Sequence, residues 1–83
     1  MNNVIIDIRA QLLMSEYEKM LAHLQEKLNL SKKGEPLFTI LGNSFFLSNP
    51  DEHNEDKIKE EIQKSGIDSR ALQNMEIKLY ASI

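Results

Sequence analysis

Leu37-Phe38-Thr39-Ile40-Leu41 and Ser44-Phe45-Phe46-Leu47-Ser48 are two apolar runs separated only by Gly42-Asn43, and they hold all three phenylalanines of the chain. Glycine followed by asparagine supplies the positive φ angles of a two-residue primed turn, which twists in the same sense as the strands it joins. The spacing therefore predicts a β-hairpin. A loop at Gly42-Asn43 pairs Leu41 with Ser44, Ile40 with Phe45, Thr39 with Phe46, Phe38 with Leu47 and Leu37 with Ser48. One face of that hairpin is wholly apolar, with Phe38, Ile40, Phe45 and Leu47, and is assigned to the core. The other mixes Leu37, Thr39, Leu41 and Phe46 with two serines.

Upstream, Val4 to Leu12 places Ile6, Ile8, Ala10 and Leu12 on one side and Asp7, Arg9 and Gln11 on the other, the alternation of a half-buried strand. The competing reading is one long helix from Val4 to Leu28 packed on a three-stranded sheet, because Ile5, Ile8 and Leu12 also fall at helical spacing. Ser15 with Glu18 three residues on forms a capping box and favours a helix that starts only there. From Glu16 the period becomes helical, with Tyr17, Met20, Leu21, Leu24 and Leu28 in one stripe and Lys19, His23, Glu26 and Lys27 turned toward water. Asn29 to Pro36 reads as a loop.

Downstream, Ser48-Asn49-Pro50 offers a cap, acidic residues crowd the next two turns, and Lys64 followed by Gly66 closes a second helix, whose start lies between Pro50 and Asn54. Its apolar stripe is thin, Ile58 and Ile62. Ile67 to Asn74 is a connector with one helical turn capped by Asp68 or Ser69. Met75, Ile77, Leu79, Ala81 and Ile83 then alternate with Glu76, Lys78, Tyr80 and Ser82 as a last strand. The order β-α-β-β-α-β predicts an α+β fold of ferredoxin-like type, a four-stranded antiparallel sheet with two helices on one face.

An 83-residue chain with 41% hydrophobic and 28% charged residues describes one ordinary globular domain spanning residues 1–83. It has no cysteine, which removes disulfides, thiol nucleophiles and thiolate metal sites. No apolar run approaches the roughly 20 residues of a membrane helix, and the start lacks the pattern of a signal peptide, so the expected location is the cytoplasm. The net charge of −3 arises entirely within residues 50–66, where Asp51, Glu52, Glu55, Asp56, Glu60 and Glu61 face three lysines.

No catalytic, cofactor or metal signature stands out. Asp51 to Asp56 holds oxygen ligands and His53, yet a calcium loop starting at Asp51 needs glycine at Asp56 and glutamate at Ile62. His23 has no ligand partner at helical spacing, and neither histidine is placed beside a candidate nucleophile. The turn after the first strand, Leu12-Leu13-Met14, lacks the glycines of a phosphate cradle. An acidic chain without aromatics on its first strand argues against direct nucleic-acid binding, although Phe46 and Tyr80 could stack bases.

The expectation is therefore a non-enzymatic module, without cofactor, that binds a protein partner or its own copy. Its candidate surface is the sheet face away from the helices, with Arg9, Leu37, Thr39, Leu41, Phe46, Lys78 and Tyr80. An alternative is a stoichiometric inhibitor whose acidic helix over 51–61, with Asp51, Glu52, Glu55, Asp56, Glu60 and Glu61, docks on a basic, nucleic-acid-binding site. A further alternative is a regulatory domain that holds a small ligand at a dimer seam.

Overall fold

The structure is a computed structural model that describes the backbone of residues 3–82 and the side chains of residues 4–80. The elements are β1 (Asn3–Ala10), α1 (Met14–Leu28), β2 (Ser31–Lys32), β3 (Leu37–Thr39), β4 (Gly42–Asn49), α2 (Glu55–Lys64), α3 (Ser69–Gln73) and β5 (Glu76–Ser82). The fold is α+β, with a five-stranded antiparallel sheet and three helices. Ile83, expected to extend the last strand, lies outside the described residues. No described helix is long and apolar enough to cross a membrane.

The first strand forms as its β-branched alternation requires: Ile6, Ile8, Ala10 and then Leu12 are buried. The chain turns directly after Leu12, and α1 starts earlier than the expected Ser15–Glu18 box. Leu13 is the extended residue before the helix, and the Glu16 carboxylate accepts its backbone N–H at 3.0 Å. Glu16, three residues beyond Leu13, thus makes the contact that Glu18 was expected to make, and Ser15 lies inside the first turn. Tyr17, Met20, Leu24 and Leu28 fill the buried stripe of α1. Asn29 ends the helix in the left-handed region at φ 58°, and the Leu30 N–H returns to the Leu24 carbonyl at 3.3 Å, which drops Leu30 into the core.

β4 is central, paired with β1 from Val4–Asn49 to Ala10–Asn43. Its other edge receives two short pieces end to end. β2 lies against Leu47 and Ser48, and β3 against Gly42 to Ser44, with the Lys33 N–H bonded to the Phe46 carbonyl between them. Gly34, at φ 76°, and Pro36 lead the chain off this edge between the two pieces; the strand expected over 37–41 is shortened to Leu37–Thr39, and Ser31–Lys32, within the expected Asn29–Pro36 loop, is strand. β5 pairs with the far side of β1, which gives the order β2-β4-β1-β5 with β3 also on β4.

The hairpin turns elsewhere than expected. Its loop is Ile40-Leu41, while Gly42 and Asn43 already belong to β4, and Leu37 pairs with Ser44 rather than Ser48. Ile40, assigned by pattern to the core, is 99% exposed at the tip. Two tertiary contacts account for the change. Asn43 is buried and its amide donates to the Leu12 carbonyl at 2.6 Å, and its backbone pairs with Ala10 to carry the ladder to the end of β1. Placing Asn43 in the loop would forfeit both. Among non-glycine residues of the described chain only Asn29 and Glu52 take positive φ, so the turn is not of the primed type; the unusual angle falls on Gly42, at 146°.

All helices cover one face of the sheet. Ile6, Ile8, Phe45, Leu47 and Ile77 meet the stripe of α1 and Ile58 and Ile62 of α2 in a single core. Tyr17 joins the layers, with its ring edge-on to Phe45 at 4.9 Å and to Phe38 at 5.6 Å. The cap of α2 is Asn54, whose side chain accepts the Lys57 N–H at 2.8 Å. Asn49, a cap candidate by pattern, is instead buried at the end of β4. Its amide holds both the carbonyl and the N–H of His53, at 2.9 and 3.0 Å. Asp68 caps α3 by accepting the Arg70 N–H.

Candidate functional site

The strand registers lay out the uncovered face as rows. Ser48, Ile5 and Tyr80 form one row, Phe46, Asp7 and Lys78 the next, and Leu37, Ser44, Arg9 and Glu76 the third. Six of the seven residues expected there, Arg9, Leu37, Thr39, Phe46, Lys78 and Tyr80, do stand on this side of the sheet. Leu41 belongs to the turn at its end, 93% exposed. Arg9, Leu37, Thr39, Leu41, Ser44 and Glu76 border a shallow groove of about 610 Å³ at that end, while Phe46, Lys78 and Tyr80 lie beyond it. Leu37 is 61%, Phe46 45% and Tyr80 50% exposed, so large apolar side chains meet water along the whole face.

Asp7 was expected to face solvent. It is only 5% exposed, because its cross-strand neighbours Phe46 and Lys78 flank it on both sides. One carboxylate oxygen lies 3.7 Å from Nε of Arg9; the other, Oδ1, is buried with no hydrogen-bond partner. A carboxylate oxygen in that state forgoes the hydrogen bonds water would give it, a cost a donor from outside could remove. Alternation alone puts Asp7 on the right face. Its burial follows from the size of Phe46, which only the register places beside it.

The acidic segment is divided. Asp51 and Glu52 precede α2, with Glu52 at φ 54°, whereas Glu55, Asp56, Glu60 and Glu61 are in the helix. Glu55 pairs with Lys59 at 3.0 Å and Glu60 with Lys64 at 3.1 Å. Glu61 is not on the acidic surface. It is buried against α1, where His23 Nε2 donates to its carboxylate at 2.9 Å. His23, expected on the water side of α1, is accordingly half-buried. Among the described residues no group of three histidine, aspartate or glutamate side chains converges as a metal site requires.

No protein-family model, curated protein or solved structure matches the chain.

Proposed function

We propose that this chain is a small non-enzymatic binding module that takes up a protein, a second copy or another chain, on the uncovered sheet face. The observation that carries the reading is the central row, where a buried carboxylate with an unpartnered oxygen sits beside half-exposed Phe46, with Tyr80 and Leu37 exposed in the rows on either side. Apolar area supplies the drive for association, and a hydrogen-bond donor on the incoming surface would satisfy Asp7. In this reading β2 and β3 are two halves of one interrupted edge strand, and the layout is ferredoxin-like, with β1 and β4 central and one face free for a partner.

Phe46→Lys tests it. The side chain is half in water, so the variant should melt as the parent does while association, followed by light scattering behind size exclusion or by capture of a partner, is lost. Association that survives the substitution places the site elsewhere. Unfolding of the variant would make Phe46 a core residue and the face misassigned.

A further inference from the structure

Two neighbouring rows of the uncovered face are complements of each other. Phe46, Asp7 and Lys78 cross β4, β1 and β5 in one; Ser44, Arg9 and Glu76 cross the same strands in the next, with Leu37 of β3 beyond Ser44. Strand by strand, the large Phe46 answers the small Ser44, the acidic Asp7 answers the basic Arg9, and the basic Lys78 answers the acidic Glu76. Arg9, Leu37, Ser44 and Glu76 also border the shallow groove of about 610 Å³, so the second row offers room where the first offers bulk. Within one chain the match goes unused. Nε of Arg9 stands 3.7 Å from the Asp7 carboxylate, beyond hydrogen-bond length, and Oδ1 of Asp7 is buried without a partner.

We propose that the occupant of the uncovered face is a second copy of this chain, stacked sheet on sheet about a two-fold axis that crosses the strands between these two rows. This rests on the binding role proposed for the face and names its partner. A two-fold in that place lays each row over the other row of the second copy, so every contact is made twice. Phe46 enters the groove of the other copy above Ser44 and beside Leu37. Lys78, drawn to Glu76 of the other copy, uncovers the Asp7 carboxylate, and Arg9 of the other copy brings Asp7 the donors it lacks, which offsets the cost of its burial. Other placements lose the match. With the axis on the row of Asp7, or on that of Arg9, like charges face each other; with the axis along the strands between β1 and β5, the charges still match but Phe46 is carried past the β5 edge and meets no strand.

The test is light scattering across a roughly hundredfold concentration range, on the parent and on charge variants. The parent should dimerise. Glu76→Lys alone and Lys78→Glu alone should each weaken dimerisation by at least about tenfold, and an equimolar mixture of the two should restore it, because each variant then meets the opposite charge. Arg9 and Asp7 lie opposite these positions on β1, so a variant that folds poorly is replaced by a measurement on the parent itself. In a sample of half isotope-labelled and half unlabelled protein, isotope-filtered nuclear Overhauser spectra should show contacts between the Phe46 ring of one copy and the Leu37 methyls of the other. A dimer without those contacts, or one that Phe46→Lys abolishes but the charge variants leave intact, overturns this arrangement of the two copies. A parent that stays monomeric overturns the second copy as occupant and leaves the face to another chain, whereas a dimer that Phe46→Lys does not weaken overturns the inference and the binding role of the face together.

Discussion

His23 on α1 and Glu61 on α2 lie 38 positions apart and meet at 2.9 Å, the direct polar link between the two long helices. The hydrogen bond from His23 is the main cause holding the Glu61 carboxyl below its ordinary value of 4.5. Burial opposes it, and Lys64 and Lys57, at 3.8 and 3.6 Å, add to the lowering. A carboxyl with a lowered value in the fold contributes stability that is present above its unfolded value and is lost as pH falls through the folded one. The melting temperature should therefore decline on acidification below 4.5, and Glu61→Gln should decline less over the same range. Equal acid limbs for parent and variant would remove Glu61 from the account.

Tyr17 tests the cost of an unpaired hydroxyl. Its ring packs on Phe38 and Phe45, but its OH is buried without a partner, and burial, then Glu35 and Glu18, pushes its ionisation upward. Tyr17→Phe keeps the ring contacts and should leave stability unchanged or raise it by up to about 1 kcal/mol, whereas Tyr17→Ala should cost about 3–5 kcal/mol. Urea denaturation distinguishes the two.

Asn49 fastens the segment before α2. It is fully buried and forms both hydrogen bonds to His53, so Asn49→Ala leaves the His53 groups without their side-chain partner and should cost about 1–3 kcal/mol. Amide exchange should then rise at His53 and Asn54 before it rises in β4.

The hairpin tip separates local from tertiary demands. Ile40→Lys at the exposed tip should change stability by less than about 0.5 kcal/mol. Gly42→Ala should cost about 1–3 kcal/mol. An added Cβ there would sit at ordinary contact distance, 3.5 Å from the Ala10 carbonyl oxygen, so the penalty comes from the φ of 146°. A Gly42→Ala variant as stable as the parent would show that the turn can relax.

The sheet face survived an error in register. The pattern paired Leu37 with Ser48 and the fold pairs it with Ser44, a shift of four residues along β4. Because strand side chains alternate with period two, an even shift leaves every residue on the side it was assigned. Phe38, Phe45 and Leu47 thus face the helices, and Leu37 and Phe46 face away, although their partners changed. Ile40 alone of the predicted inner face was lost, because the turn moved onto it.

Alternation and helical spacing in the sequence by themselves determined the faces: which side chains of β1, β4 and β5 point inward, and which stripe of α1 is buried. These depend only on backbone geometry repeated over neighbouring residues. Tertiary structure decided the rest. The turn sits at Ile40-Leu41 because Asn43 is drawn to the Leu12 carbonyl and to the ladder of β1. Asp7 is buried because Phe46 and Lys78 close over it, and Glu61 leaves the acidic surface because His23 waits on another helix. Each is a contact between residues far apart in the chain. Its energy outweighs the local preference, and no window of neighbouring residues contains it.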